Sequence, residues 1–296
     1  MYRVYPFSSW VQYMRVRLVQ RATTVGICRA GPRRAGNGFY MRVATFNILN
    51  GRVPTDQHVD PGGLADAVKR LDADILALQE VDQNQQRSGF ADLTAVAADA
   101  MGAPHHRFVA AIHGSPGATW VASTGDEQPD SAAYGVALLS RYPVTGWQVI
   151  RLEPVPFPVP MRFKGRLRPY LVTDEPRVAV VASVETPLGE YTVVGTHLSF
   201  IPWWNVRQLR KLVKATVDCH EPVLLMGDLN MGPGRATQTA RMRPAASHPT
   251  YPVDEAREQI DHILVRGLVQ IGDSGGPALP ISDHRALWVD LGDRGG

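Results

Sequence analysis

From residue 41 onward, short apolar runs alternate with segments whose apolar residues recur at helical spacing. Apolar runs bounded by polar or turn residues are typical of strands, and they predict strands over 43–47, 75–80, 135–140, 222–230, 259–265 and 285–291. Two further runs, 177–185 and 190–197, flank a Pro- and Gly-containing turn and predict a hairpin. Apolar spacing predicts helices over 63–71, 90–101 and 206–217, and polar residues predict a long loop over 113–133.

The balance of these elements predicts the fold class. Strands outnumber helices and include hairpin-like neighbours, which favours an α/β sandwich of two packed, mostly antiparallel sheets with helices outside. No linker interrupts the pattern after residue 40, so we expect one domain over 41–296.

Residues 1–40 differ from the rest, since they carry seven arginines, no lysine and no acidic residue. They fit a transit-type leader, a basic arm for an anionic surface, or read-through upstream of a start at Met41. We favour the third interpretation and expect a disordered extension, because Met41 directly precedes an apolar strand. The remaining chain has a net charge of −4, so the overall +3 is weak evidence for a nucleic-acid partner.

Composition also narrows the class of protein. The two cysteines, Cys28 and Cys219, cannot build a disulfide scaffold or a four-thiolate zinc site, and they favour a reducing compartment. We therefore expect a cytoplasmic protein, and a monomer. No apolar run reaches the roughly 18 residues that a spanning helix needs, so we expect no membrane insertion.

Polar residues of metal- or phosphate-handling type recur where the predicted strands begin or end. They are Asn47, Glu80, His197, Asp228, Asn230, Asp261, Asp283 and His284. A polar strand end alone is unremarkable, because strand ends meet water. Together, hard carboxylate and amide oxygens with histidines suit attack on a phosphoester assisted by Mg²⁺ or Mn²⁺. Zinc is disfavoured because no HExxH spacing or sulfur ligand set exists, and no GxSxG turn supports a serine nucleophile.

The alternation of side chains along a strand assigns Asp261 to one face of the predicted sheet. It shares a face with Ile263 and Val265, whereas His262 and Leu264 point the other way. A carboxylate on an apolar face is costly unless it is paired, and His284 is a candidate partner. The alternative is a solvated Asp261 at the mouth of the strand.

The motifs TFNILNG, LALQEVD, GVALLSRYP, VVGTHLS, LLMGDLN, QIDHILV and SDHRALWVDL occur in this order between residues 45 and 291. The series resembles the endonuclease/exonuclease/phosphatase superfamily with its deoxyribonuclease I-like fold, and GDLN followed by IDHIL and SDH is its most specific part. The resemblance implies a four-layer sandwich and a hydrolase of phosphoester bonds.

The resemblance also implies roles for the matching residues. Glu80 would ligate the metal with support from Asn47 and Asp283. Asp228 would orient or activate water, Asn230 would hold substrate, and Asp261 would steer His284 toward the scissile phosphate. His197 would be a second phosphate-facing histidine, as in the deoxyribonuclease, phosphatase and sphingomyelinase branches. The glutamate partner of that histidine is missing from the matching FVAAIHG stretch, so the partner of His197 stays open.

Two segments are candidates for substrate contact. Residues 151–170 are rich in proline and basic residues, and we single out Arg162, Lys164, Arg166 and Arg168. They could meet nucleic-acid phosphates or an anionic membrane, or form a solvated loop. The pair Trp203 and Trp204 follows THLSF and could stack on bases, anchor at an interface or pack on the core.

Three functions remain. The sequence leans to a metal-dependent nuclease or related phosphodiesterase. The alternative is a phosphatase or phospholipase-C-type phosphodiesterase that acts on an inositol phosphate, sphingomyelin or another lipid headgroup. An inert binding module is the remote third, because every metal and water position holds a competent residue type.

Overall fold

The structure is a computed structural model that describes residues 33–35, 38–55, 58–116, 119–128, 130–162 and 168–292. Within these residues the strands are β1 Arg33–Ala35, β2 Gly38–Asn47, β3 Ile75–Gln83, β4 His105–Gly114, β5 Trp120–Ala122, β6 Ala133–Ser140, β7 Val144–Leu152, β8 Val159–Met161, β9 Tyr170–Val172, β10 Arg177–Thr186, β11 Gly189–His197, β12 Val223–Asp228, β13 Arg243–Pro244, β14 Asp261–Arg266, β15 Gln270–Gly275 and β16 Leu287–Gly292. The helices are α1 Pro61–Leu71, α2 Leu93–Met101, α3 Trp204–Ala215 and α4 Pro233–Ala240. None of the described helices combines the length and the apolar character needed to cross a bilayer.

The long strands form two sheets. The first has the order β15-β16-β2-β3-β6-β4-β5, with β1 paired to β2, and the second has the order β13-β14-β12-β11-β10-β7. Most pairs are antiparallel, but β2 with β3 and β11 with β12 are parallel. The strands β8 and β9 form a separate small hairpin.

Apolar side chains on both faces of each sheet define four layers. The inner faces pack on each other through residues such as Val43 and Leu138 from the first sheet, and Val193 and Met226 from the second. The outer face of the first sheet packs under α1 and α2, and that of the second under α3 and α4. Strands buried on both faces are apolar throughout, which explains why the central runs in the sequence are continuous. The predicted sandwich of two mostly antiparallel sheets flanked by helices is confirmed.

Several predicted boundaries were wrong for local reasons. The helix predicted over 90–101 begins at Leu93, because the Asp92 carboxylate accepts a hydrogen bond from the Ala95 amide (2.9 Å) and caps it. Phe90 lies outside that helix and is exposed. The helix predicted over 206–217 spans Trp204–Ala215, so Val217 is exposed instead of packed. The loop predicted over 113–133 contains the end of β4 and all of β5.

The predicted extension overlaps the first sheet. The strand predicted from residue 43 begins at Gly38, and β1 pairs with it over 33–35. These two pieces therefore belong to the sheet, whereas residues 1–32 lie outside the described part of the chain.

Candidate active site

Strand register brings the predicted site residues to one end of the sandwich. The parallel pair β11–β12 sets His197 opposite Asp228, and the antiparallel pair β12–β14 sets Asp228 opposite Asp261. In the first sheet, Asn47 at the end of β2 lies opposite Gln79, next to Glu80. The two sheet ends enclose a cleft of about 730 Å³ whose lining includes Glu80, Asp228 and both histidines of the motif set.

Local backbone distortions aim two of these side chains. The β3–β6 register shifts between Leu78 and Val81, and Glu80 within this bulge has a left-handed backbone (φ 56°). Gly227 precedes Asp228 with φ 149°, and a Cβ there would lie 1.9 Å from the Thr196 carbonyl oxygen. Only glycine therefore allows β11 and β12 to approach closely enough to place Asp228 beside His197.

Asn47 links the two sheets across the cleft floor. Its Nδ2 donates hydrogen bonds to Glu80 Oε1 and to Asp228 Oδ2, each at 3.2 Å. Its Oδ1 accepts one from the Leu49 amide at 3.1 Å, which sets the orientation of the side chain. The carboxylates of the two sheets thus share one positioned amide.

Asp261 and His284 form a buried pair. Asp261 Oδ2 lies 2.9 Å from His284 Nδ1, and the same strand face carries Ile263 and Val265 into the inner core. Burial alone would lower the pKa of His284, but the charges of Asp261 and Asp228 outweigh it and raise this pKa to about 10. His284 is therefore an imidazolium at neutral pH, and the expected pairing is confirmed.

Asp228 lies between the two histidines. Its Oδ2 is 3.5 Å from His197 Nε2 and 3.9 Å from His284 Nε2, while its Oδ1 accepts a hydrogen bond from the Asn230 amide. Burial, together with the charge of Asp261, raises the pKa of Asp228 to about 7. A carboxyl group of this pKa can exchange a proton with water near neutral pH.

The partner of His197 is an arginine. Arg177, buried at the start of β10, places its Nη1 3.1 Å from His197 Nδ1, and its Nη2 3.4 Å from Glu175. A guanidinium only donates, so Nδ1 accepts and the neutral imidazole carries its proton on Nε2, which faces Asp228 Oδ2 (3.5 Å). The Asn230 side-chain nitrogen, 3.3 Å from Nε2, donates to the Leu198 carbonyl instead. Burial and the charge of Arg177 both lower the pKa of His197, well below its ordinary value. One histidine of the cleft is thus neutral and the other cationic.

Hard oxygen donors suited to a divalent cation converge on one side of the cleft. Burial raises the pKa of Glu80, and the nearby charge of Asp283 adds a smaller rise, so the two carboxyl groups lie near each other. A bound cation would offset the negative charge of these carboxylates. Asn47 directs its Nδ2 donor at Glu80, so only its Oδ1, which accepts from the Leu49 amide, could ligate the cation. Asp228, Asp261 and His284 also bring ligand atoms within 4.8 Å of one another. In that group His284 Nδ1 and Asp261 Oδ2 already pair with each other at 2.9 Å, whereas Glu80 lies near a second carboxyl group, Asp283.

None of the described residues from the two segments that were predicted to contact substrate lines the cleft. Arg162 and Arg168 are exposed near the β8–β9 hairpin and do not line the cleft, while Lys164 and Arg166 lie outside the described residues. Trp204 is buried and donates its indole N–H to the Glu153 carbonyl (2.7 Å), so it packs instead of meeting substrate. Trp203 is 51% exposed beside it.

Sequence reasoning missed several residues of the cleft wall. They include Asn50, Arg87, Trp120, Tyr134, Arg177 and Tyr251. Arg87 is held by two hydrogen bonds to the buried Asp82 carboxylate, at 2.7 and 2.8 Å. These residues belong to no motif, and the one local signal is a charged Arg177 at the head of an otherwise apolar strand.

A four-layer sandwich with paired carboxylates and histidines at one end defines the class of metal-assisted phosphoester hydrolases. The model of the endonuclease/exonuclease/phosphatase family matches residues 44–284. The chain therefore belongs to this family, and it is a phosphoester hydrolase by that membership. No curated protein matches the chain by sequence.

Solved structures share the fold at low identity. An endonuclease/exonuclease/phosphatase from Beutenbergia cavernae is 21% identical with a TM-score of 0.61, and the match covers 85% of this chain and 71% of that one. A mannosyl-6-phosphatase from Bacteroides thetaiotaomicron is 15% identical with a TM-score of 0.54, covering 85% and 99%. ANGEL2, a 2′,3′-cyclic phosphatase, is 14% identical with a TM-score of 0.56, covering 86% and 96%.

Proposed function

We propose that the protein is a divalent-metal-dependent phosphodiesterase of nuclease type. The observation that carries this proposal is the placement of Asp228 between a cationic and a neutral histidine at the cleft end of the sandwich. Such a set provides a proton acceptor for water beside two hydrogen-bond donors for phosphate oxygens.

In this proposal Glu80, Asn47 and Asp283 hold Mg²⁺ or Mn²⁺, both of which prefer oxygen ligands. A divalent ion bound there would supply charge neutralisation at the phosphate and lower the pKa of a water molecule. Asp228 accepts the proton of the attacking water. Asn230 positions the phosphate.

The two histidines donate to the non-bridging oxygens from opposite sides. His284 does so as an imidazolium whose ring is fixed by Asp261, and His197 through Nε2–H. Since His197 is neutral, it stabilises developing negative charge as a hydrogen-bond donor and does not serve as a proton donor to the leaving group.

The charge of the cleft favours a diester over a monoester. Its lining holds five carboxylates, Glu80, Glu175, Asp228, Glu258 and Asp283, against three cations, Arg87, Arg177 and His284. When Asp228 is ionised and able to accept a proton, one divalent ion balances this excess and leaves no surplus of positive charge for the second negative charge of a monoester. A singly charged phosphodiester therefore fits better.

A phosphodiesterase of lipid headgroups is the second candidate, because the wall beside the cleft exposes apolar side chains. Phe157, Tyr170 and Leu171 around the β8–β9 hairpin are 56%, 48% and 74% exposed. Val172 of the same hairpin lines the cleft. A bilayer surface would cover such residues. The cytoplasmic location and the monomeric state expected from the sequence remain predictions.

A substrate panel tests the proposal. The protein is assayed with Mg²⁺ or Mn²⁺ against single-stranded DNA, RNA, plasmid, sphingomyelin, phosphoinositides, an aryl phosphodiester and an aryl phosphomonoester. We expect hydrolysis of the aryl diester and of polynucleotides, and losses on the order of 10³-fold in Glu80→Gln and Asp228→Asn. Asp99→Asn on exposed α2 surface is the matched control. Preference for the monoester, or retained activity in Asp228→Asn, would overturn the proposal.

A further inference from the structure

A second concave surface lies on the outer flank of the molecule, between α3 and α4. We call it the flank groove, and its volume is about 1010 Å³. One side is a stripe at helical spacing on and just after α3, formed by Val206, Arg210, Val213, Lys214 and Val217. The other side comes from α4 and the residue that follows it, including Arg235 and Arg241. The lining of the groove thus combines apolar side chains with cationic side chains on both sides.

The charge of the flank groove is one-sided. Four cationic side chains line it, and no carboxylate does. Among the described residues, Arg210, Lys214 and Arg241 are exposed and form no salt bridge, and Arg235 donates one hydrogen bond to the Pro202 carbonyl at 3.3 Å. This concentration of positive charge stands on a domain whose sequence after residue 40 is net negative. A local cationic groove on an acidic body selects a polyanion.

The flank groove begins next to the active-site cleft. Phe200 lines the cleft, while Pro202 and Trp203, two and three positions later, line the groove. Three residues of chain span at most about 11 Å. Both α3 and α4 start at the cleft end of the second sheet, just after His197 and Asn230 on the chain. The groove therefore leads away from the cleft along about 18 Å of α3.

An aromatic side chain stands at the junction. Trp203 is 51% exposed, and its ring is held edge-on against the buried Trp204, with centroids 5.4 Å apart and planes at 83°. An indole fixed in this way presents a face on which an unpaired base can stack. In a duplex the bases stack on each other, so an exposed indole beside the groove favours a single strand.

We propose that the flank groove binds the single-stranded extension of a polynucleotide whose reacting phosphate lies in the cleft. This inference rests on the proposed function and narrows its substrate to a polymer. Arg210, Lys214, Arg235 and Arg241 contact successive phosphates, and Trp203 stacks on a base. The length of α3 suits the few nucleotides that a small single-strand site holds.

Charge and shape decide against other occupants. Residues 1–32 of this chain carry five arginines and no acid, so the basic groove repels them. A bilayer is flat and would touch the rims of a concave groove without reaching its floor. An acidic amphipathic helix has the right charge, but it would leave the stacking face of Trp203 at the cleft junction unused.

Binding measured without hydrolysis tests the inference independently of the enzymatic activity. The full chain is titrated in EDTA against a fluorescent oligothymidylate and an oligouridylate of about ten nucleotides, at several salt concentrations. In the triple variant Arg210→Gln/Lys214→Gln/Arg235→Gln, we expect the slope of log Kd against log salt to fall by about 2, because about 0.7 counterions are released per phosphate contact. Trp203→Ala is expected to weaken binding about tenfold, and Trp203→Phe to restore most of it.

A control with the same charge change separates a specific groove from the net charge of the molecule. Lys69→Gln/Arg70→Gln/Arg107→Gln removes three exposed cations from α1 and β4 and is expected to leave the slope unchanged. Circular dichroism of all variants shows that they are folded.

In addition, the ratio of kcat/KM for the oligonucleotide to that for the aryl diester is expected to fall about tenfold in the triple variant. Equal slopes in the two triple variants would overturn the inference. The inference would also be overturned if the groove triple variant lost binding to anionic vesicles or to an acidic peptide but bound the oligonucleotides as the wild type does. If the wild-type protein binds oligonucleotides but hydrolyses no phosphoester, the proposed function is refuted. Binding of a single strand in the flank groove is then still supported.

Discussion

At the scale of single residues, the two histidines of the cleft differ because their partners differ. His284 faces a carboxylate through Nδ1, whereas His197 faces a guanidinium through the same ring atom. The first arrangement stabilises a protonated ring and the second a neutral one. Two chemically identical side chains, both beside Asp228, thus differ in protonation because their Nδ1 partners differ.

Removal of Arg177 tests this division. In Arg177→Met, His197 loses the donor at Nδ1, so the proton can move from Nε2 to Nδ1 and the ring no longer donates to the phosphate. We expect kcat for the aryl diester to fall about 10²-fold with a smaller change in KM. Nitrogen-15 chemical shifts of His197 in the metal-free protein report the tautomer directly. Arg177→Lys keeps a donor and is expected to retain more activity; equal rates in the two variants would contradict this role.

The pH dependence of Asp261→Asn tests the other histidine. With Asp261 present, the pKa of His284 is about 10, so this ring stays protonated throughout the neutral range. Without the charge of Asp261, that pKa falls, and protonation is lost as the pH rises. We therefore expect kcat/KM of the variant to decline between about pH 6 and 8, where the ionisation of His284 does not limit the wild type. Asp273→Asn, on the exposed surface of β15, is the control and should keep the wild-type profile.

At the scale of elements, strand register builds the site. The pairs β11–β12 and β12–β14 align three functional residues in one row, and Gly227 allows the close approach. Because successive side chains of a strand point to opposite faces, the same registers also decide which residues enter the inner core. The core and the row of predicted site residues are thus set by the same hydrogen-bonded strand pairs.

Gly227→Ala separates backbone space from side-chain chemistry. A Cβ at this position would lie 1.9 Å from Thr196 O, and φ is 149°. We expect the free energy of unfolding to fall by about 3 kcal/mol or more, measured by urea denaturation. Gly232→Ala is the matched control, because its Cβ meets nothing within 4 Å and its φ is −68°. Gly232 is the N-cap of α4, where alanine is less favourable than glycine, so a loss of at most about 1 kcal/mol is expected there. Similar losses in both variants would argue against the close approach.

The elements and residues that the sequence predicted are those with a local signature. Apolar runs predicted the central strands because both of their faces are buried, and the motif residues at their ends were found for the same reason. The edge strand β7, the strand β4 next to an edge and the short α4 lack such runs, because β4 and β7 are partly exposed and α4 has only 8 residues. Arg87 joins the cleft only through tertiary packing and has no local sign in the sequence, and the only local sign of Arg177 is its charge at the head of an apolar strand.

At the scale of the whole molecule, charge is divided among distinct surfaces. The cleft is acidic before a cation binds, the flank groove is basic, and five of the seven arginines of the first forty residues precede the described sheet. The net charge of the chain averages over these regions and so describes none of them. Substrate steering therefore depends on local fields, which salt weakens strongly at exposed sites.

A chain that starts at Met41 tests the part played by the amino-terminal segment. Met41 is buried, and residues 41–47 pair with both β16 and β3, so the shortened chain keeps the core contacts of β2. We expect its aryl diester kcat/KM to be unchanged and its Tm to fall by only a few degrees, corresponding to about 1 kcal/mol. Failure of the shortened chain to fold would show that the domain requires residues before 41.

The shared registers of β11, β12 and β14 constrain how such an enzyme can diverge. A one-residue insertion within β12 would turn Met226 toward α3 and Asp228 away from the cleft, so folding and catalysis would be lost in the same event. The β8–β9 hairpin and the α3–α4 flank do not set both the inner core and the cleft residues in this way. New specificities in this scaffold should therefore arise, or be engineered, by exchanging these peripheral segments while the paired strands stay unchanged.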